Sequence, residues 1–435
     1  MLTIKNWQAQ SLEERQQILA RPKPTYSLKN QVEAIINRVK ISGDAALFDF
    51  SREFDRVDLK ELRVAVNLIN SAEINQKKMN ALTRAIETLR IYHKAIMPSD
   101  QIIDTAKGIR INRIYRPISA VGLYVPGGNN TPLVSSLLMQ AIPAQIAACP
   151  IKILCTPPSK EGLIDPHLLV AARLCGIDTI YQIGGAQAIA AMAYGTDTIP
   201  KVDKIFGPGN AYVTEAKNQI AADTQAAAID LPAGPSEVMV VADNFANPDF
   251  VAADLLAQAE HGIDSQVILL CESCSFAEQV QQKLAEQLKE LSRQQIIKKS
   301  FEFSTILIVD KIQEQIEIIN KYAPEHLIIN RIDAKDWVTS IVSAGTIFLG
   351  PWAAETMGDY VSGSNHVLPT NGQARNQSGL CTSDFLKAIT VQSISEEGIK
   401  NLGETAQILA EIEGLDAHAN AIKIRLANLY LGEKL

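Results

Sequence analysis

The chain has 435 residues, 47% hydrophobic and 20% charged, with 41 basic against 48 acidic groups and a formal charge of −7. That length argues for two or more domains, and the composition supplies ordinary globular cores. The acidic balance lacks the basic footprint of a nucleic-acid binder, so no nucleic-acid partner is expected.

Residues 1–7 carry no apolar signal core, which predicts a cytoplasmic location. Val32, Ile35, Ile36 and Val39 recur at helical spacing and predict an amphipathic helix. Short runs rich in Val and Ile then predict strands at 120–125, 151–155, 179–183, 204–206, 237–242, 266–271, 305–309 and 346–349. The segments between them are long enough for helices, so the alternation predicts an α/β fold with largely parallel sheets. The longest apolar stretch, 133–149, is broken by Ser135, Ser136, Gln140, Pro143 and Gln145. It reads as a buried helix rather than a membrane span.

Three strand ends run into glycine: Pro126-Gly127-Gly128 after Val125, Gly184-Gly185 after Ile183, and Gly207-Pro208-Gly209-Asn210 after Phe206. Ligands in open α/β sheets gather at the carboxyl ends of strands, so these turns suggest one shared cleft. None is a G-x-G-x-x-G motif, because Tyr212 stands where the third glycine would be. Glycines that simply end strands remain the plainer reading. Cys271 and Cys274 form a lone C-x-x-C, read as incidental on a surface-like run.

The six histidines divide into two groups. His93 sits on a polar helical surface and His167 after Asp165-Pro166 at a helix start; both read as structural. The others keep chemical company. Gln258 and His261, three apart on a predicted helix with Asp254 on the same face, suit either chelation of one ion or a hydrogen-bonded polar face. Glu325 and His326 follow Pro324; an imidazole there suits proton transfer near neutral pH. A helix-start acid beside a half-buried histidine is the alternative. Asp359 follows Gly358 in a glycine-punctuated loop leading to His366, where a helix cap and a loop anchor are the alternatives. Near the end, Ile408, Ile412 and Leu415 mark a helix broken at Gly414. Asp416 then reads as the cap of a second helix, with His418 in its first turn.

Together these blocks resemble the histidinol dehydrogenase family. The most specific is 229–237, running through the next helix to Glu260-His261. The blocks 121–128, 184–188, 206–217, 324–329 and 344–370 support it, so the likeness spans nearly the whole chain, with 65–104 and 272–303 unplaced. The resemblance implies two Rossmann-like parallel-sheet domains plus small helical terminal segments, in an intertwined homodimer. An N-terminal helical segment occupies 1–20. A first α/β domain, 21–123 with 238–380, carries the metal and catalytic residues. A second α/β domain, 124–237, contacts NAD, and 381–435 form a C-terminal helical segment. It also implies one zinc ion per subunit held by Gln258, His261, Asp359 and His418, and Glu325 and His326 as the catalytic pair. Ser236 and Glu413 join the zinc ligands and His326 around L-histidinol, and Tyr124, Gln187 and Asn210 contact NAD. His418 and Glu413 would come from the partner subunit. No membrane partner is implied. A zinc hydrolase using Glu325 as base competes with this reading, but it lacks an H-E-x-x-H helix and leaves the glycine turns idle. A non-catalytic metal scaffold is the third reading.

Overall fold

The computed structural model describes residues 1–22, 27–127, 132–231 and 234–432. Gly128, Pro232 and Ala233, named in the sequence motifs, lie outside them. The strands among the described residues are β1 (Thr3–Asn6), β2 (Gln101–Ala106), β3 (Ile109–Pro117), β4 (Ala120–Tyr124), β5 (Ile151–Thr156), β6 (Ile180–Gln182), β7 (Lys204–Phe206), β8 (Ala228–Ile229), β9 (Glu237–Ala242), β10 (Gln266–Cys271), β11 (Thr305–Ile308), β12 (His326–Asn330), β13 (Thr346–Leu349) and β14 (Leu386–Ile394).

The chain divides into two compact units. The larger comprises residues 1–96 and 119–384 and holds two parallel sheets. One runs β6-β5-β4-β7-β8, so in order of appearance its strands stand third, second, first, fourth, fifth. The other runs β1-β11-β10-β9-β12-β13 and repeats that order from β9 onward, with β1 added at the edge. This is the Rossmann-type arrangement, occurring twice, and in each sheet the order reverses beside its first strand.

Side-chain alternation builds the cores. Along β9, Val238, Val240 and Ala242 join the helices Pro248–Ala259 and Cys274–Leu288 in one apolar cluster. Met239 and Val241 face the opposite way, against Ile318, Ile319 and Tyr322 of helix Ile312–Tyr322. A parallel sheet covered on both faces needs such near-continuous apolar strands, each buried side chain contributing about 1.5–3 kcal/mol before entropy is charged against it. The five-stranded sheet is covered by helix Lys29–Phe50, which buries Val32, Ile35, Ile36 and Val39, and by helix Gly185–Tyr194. Segment 133–149 forms the buried helix Val134–Ile146.

The smaller unit comprises residues 97–118 and 385–435. β2 and β14 flank β3 in an antiparallel sheet, followed by helices Glu396–Ile412 and Asp416–Gly432. Between these helices Gly414 has a φ of 70°, while its N–H bonds Glu411 O and that of Leu415 bonds Ala410 O. This is a Schellman turn, which needs the left-handed residue glycine supplies. The second helix begins at Asp416 itself, so that carboxylate sits in the first turn rather than serving as the cap.

Some sequence expectations change. Residues 1–20 contribute strand β1 before the helix Leu12–Ile18, because β11 offers an open parallel edge at Thr305–Ile308. β2 and β3 pair with β14 rather than entering either parallel sheet, and β4 belongs with the five-stranded sheet. Cys271 is buried in β10 while Cys274 is exposed, so the C-x-x-C is not a surface pair.

His93 is structural as expected, but buried rather than on a helical surface. It is fully buried on helix Gln76–Ala95, with ring contacts to Asn365 Nδ2 and Thr382 Oγ1, each at 3.3 Å. Burial pushes its pKa down from 6.5 to about 4. The native imidazole is therefore neutral where the unfolded one is protonated, and stability is lost as pH falls from the unfolded pKa toward the folded one. His93→Gln should flatten the decline in stability between pH 7 and 5; urea midpoints at both pH values check this, and an unchanged decline would contradict it.

Candidate functional site

Helix Ile312–Tyr322 ends at Ala323, a non-glycine residue with φ of 53°, and Pro324 leads the chain into β12. Such backbone is uncommon outside glycine. The turn sets Glu325 just before the strand and His326 at its first position, both buried. Neighbouring strand residues usually diverge, yet Glu325 Oε2 lies 3.6 Å from His326 Nδ1. One residue holds both. The N–H of Glu237 donates to Glu325 Oε2 at 2.8 Å, and its carbonyl lies 3.1 Å from His326 Nδ1. That carbonyl only accepts, so Nδ1 is the donor. Among the described residues His326 Nε2 has no hydrogen-bond partner.

Carboxyls crowd this imidazole. Glu355 Oε1 is 3.8 Å from Nδ1, and Asp359 Oδ1 is 3.8 Å from Nε2. Burial works to lower the His326 pKa, but Glu355, Glu325 and Asp359 outweigh it and raise the value to about 10. Burial lifts Glu355 to about 8; His326 opposes the rise, and Asp359, Glu325 and Asp254 add to it. Asp254, also by burial, reaches about 7. Buried negative charge in excess is costly unless a cation joins it. His326, Glu355 and Asp359 present donor atoms within 4.8 Å of one another, a spacing that suits one cation.

The helix Glu355–Tyr360 brings Glu355 and Asp359 to the site by packing on β13. Gly358 is required there for space: a Cβ would come within 2.5 Å of the Phe348 ring. Glu355 was not singled out by sequence. The available signal was its i, i+4 spacing from Asp359, which stacks two acids on one helix face, a repulsive pairing without a cation. His366 Nδ1 lies 2.8 Å from the Asp359 carbonyl, in keeping with a loop anchor.

Gln258 is fully buried near the end of helix Pro248–Ala259. Its Nε2 lies 3.4 Å from His326 Nδ1, and its Oε1 has no partner among the described residues. His261 departs from the sequence expectation. The helix stops at Ala259 because the chain must turn into β10, so His261 is exposed beyond its end, bonded through its N–H to Gln258 O. It is not part of the three-residue donor group. Ser236 is half-buried immediately before Glu237. Glu413 and His418 lie in the smaller unit, both exposed, Glu413 capping one helix and His418 in the first turn of the next.

The catalytic-looking group occupies the amino ends of β9 and β12. The glycine turns behave differently. Those after β4 and β7 lie at carboxyl ends, where the order of the five-stranded sheet reverses. A cavity of about 1260 Å³ opens there, lined among others by Tyr124, Gly127, Gly185, Gln187 and Asn210. Pockets for drug-sized ligands run to roughly 1,000 Å³, so this one suits a larger extended molecule. Tyr124 is buried, and its hydroxyl accepts the Gly185 N–H at 3.0 Å. Asn210 caps helix Ala211–Ala221 through Oδ1, at 3.0 Å from Tyr212 N and 3.1 Å from Val213 N. The Gly207 turn is clamped by a buried pair: Lys217 Nζ bonds Gly207 O at 2.9 Å and meets Asp230, whose Oδ2 accepts the Gly207 N–H at 2.7 Å.

Comparison with known proteins follows the same lines. A family model described as histidinol dehydrogenase matches residues 20–426. A histidinol dehydrogenase of Legionella pneumophila (strain Philadelphia 1) is 62% identical over 99% of this chain and 100% of its own length. One from Mannheimia succiniciproducens is 47% identical over 97% of this chain and 99% of its own. The crystal structure of histidinol dehydrogenase from Elizabethkingia anophelis superposes with a TM-score of 0.94 at 43% identity, covering 99% of each chain.

Proposed function

The chain belongs to the histidinol dehydrogenase family, NAD-dependent oxidoreductases of histidine biosynthesis, and we propose that it oxidises L-histidinol through L-histidinal to L-histidine with two NAD and one zinc ion per subunit. The observation that carries this reading is the Glu325–His326 pair, with an unpartnered His326 Nε2 set among excess buried carboxylates.

Zinc takes nitrogen and oxygen donors. The buried, unpartnered Gln258 Oε1 and the Asp359 carboxylate suit it, and we assign His261 and His418 as the remaining ligands. When bound, zinc supplies a fixed positive charge that orients the amino alcohol, and NAD takes up one hydride in each half-reaction. The protein's own groups move the protons. With a cation offsetting Glu355, Glu325 and Asp359, which otherwise keep the imidazole protonated, His326 Nε2 takes the hydroxyl proton as the carbinol hydride departs. Glu325, held by the Glu237 N–H, takes a proton from the water that adds to the aldehyde carbon. His326 returns its proton to the former carbonyl oxygen as the hydrate forms, then takes a hydrate hydroxyl proton as the second hydride departs; the acid so formed, Glu325 and His326 release their protons to solvent, leaving the carboxylate of histidine. Both oxidations in one site keep a reactive aldehyde from solvent. Ser236 and Glu413 contact the substrate in this reading, and Tyr124, Gln187 and Asn210 contact NAD.

The functional form we propose is an intertwined homodimer in which Glu413 and His418 serve the partner's site. Ile408, Leu409, Ile412 and Leu415, exposed on the smaller unit, support an apolar interface. No helix among the described residues is long and apolar enough to cross a membrane. We place the enzyme in the cytoplasm, where the exposed Cys274 stays reduced.

Purified protein with L-histidinol should form two NADH per histidine, and His326→Asn should lower kcat by about 10²–10⁴-fold. Absence of histidinol-dependent NADH would reject the reading and favour the metal hydrolase. Chelation should abolish turnover and zinc restore it. His261→Asn should lose zinc where His167→Asn does not; equal zinc content in the two would refute the ligand set. Finally, mixing His418→Ala and His326→Asn chains should regenerate some activity, since one kind of mixed site is intact. Mixtures no more active than their parents would show that each subunit builds its own site.

A further inference from the structure

The catalytic pair rests on the main chain of Glu237, and the Glu237 side chain is gripped from behind. Arg21 holds its carboxylate with two parallel bonds, Nε to Oε1 at 2.5 Å and Nη2 to Oε2 at 2.8 Å. The same Nη2 donates to the Tyr322 carbonyl at 2.8 Å, and the guanidinium lies 4.0 Å from the centre of the Tyr322 ring. Tyr322 closes the helix that leads through Ala323 and Pro324 to Glu325. Arg21 therefore touches both backbone segments that meet at the pair: the start of β9 and the turn ahead of β12.

We propose that Arg21 is a positioning residue for the oxidation, fixing through Glu237 the N–H that orients Glu325 and the carbonyl that orients His326. The inference rests on the function proposed above. A forked guanidinium–carboxylate pair fixes direction as well as distance, which a single ammonium does not. The Glu237 side chain is 2% exposed and that of Arg21 17%. Without Arg21, the carboxylate keeps the Asn371 N–H at 2.9 Å but no cation among the described residues. A buried carboxylate stripped of its cation reorients or draws in water. Because its own main chain carries both catalytic contacts, that movement passes directly to Glu325 and His326. The proposed zinc ligands Gln258, His261, Asp359 and His418 lie on other segments, so zinc is retained while the chemical step slows.

The test compares zinc-loaded, full-length wild type with Arg21→Gln, Arg21→Lys, Glu237→Gln and the double variant Arg21→Gln/Glu237→Gln. Arg21→Gln should lower kcat on the order of 10–100-fold, as a displacement near 1 Å does. Its KM for L-histidinol should stay within about threefold and its zinc content should be unchanged, the pattern of a lost transition-state interaction. Arg21→Lys should recover part of kcat. The double variant, which removes the stranded carboxylate, should lose less than the product of the single losses. Wild-type kcat in Arg21→Gln, or a kcat loss matched by KM and zinc losses, overturns the proposal. If Arg21→Gln does not fold, Arg21→Lys decides alone: reduced kcat at constant KM supports it, and unchanged kcat overturns it. A wild type silent toward L-histidinol would instead sink the function itself.

Discussion

More buried carboxylate than buried cation surrounds one imidazole, and that imbalance is the constraint on which this site depends. Asp254, Glu325, Glu355 and Asp359 all act on the region of His326, and burial or mutual repulsion drives Asp254 and Glu355 toward neutrality. A site built this way waits for positive charge. A metal ion and an amino alcohol both supply it, which ties catalytic readiness to occupancy. The polypeptide's contribution is to keep the acids from dispersing. Glu237 holds Glu325 and His326 through its main chain, and the packing of Gly358 against Phe348 holds Glu355 and Asp359.

The two parallel sheets share one strand order but use opposite ends of it. In the five-stranded sheet the cavity opens at carboxyl ends, where turns supply N–H groups and helix starts. In the six-stranded sheet the acid–imidazole group sits at the amino ends of β9 and β12. The same arrangement thus presents a cavity at one pole and an acid–imidazole group at the other.

Periodicity and composition made much of this legible. All eight strands read from Val- and Ile-rich runs are present, as are the helix through Val39 and the buried helix after Leu133. What escaped depends on distant contacts. β1 is a polar four-residue segment, and only pairing with β11 makes it a strand. β2 and β3 carry mixed sequences whose partner, β14, lies far along the chain. His93 looked like a surface residue because Tyr92 and Lys94 flank it, whereas Asn365 and Thr382 bury it. In the site, Glu325 and His326 stood out as an adjacent pair, and Asp359 stood out after a glycine. Glu355 and Arg21 did not, because their partners are set by folding rather than by spacing. The projection of His261 from a helix face failed because periodicity does not say where a helix must end to reach the next strand.

The edge strand β1 also bears on the order of assembly. Residues 120–229 contain every strand of the five-stranded sheet in one continuous stretch, so that sheet closes from local material. β1 pairs with β11 across 302 residues, from Thr3 to Thr305. A chain emerging from the ribosome carries its first strand unpaired through most of synthesis, since distant pairings bear the greatest loop-closure cost. The brevity and polarity of Thr3–Asn6 make that wait safe, because such a segment is a poor template for intermolecular strand addition.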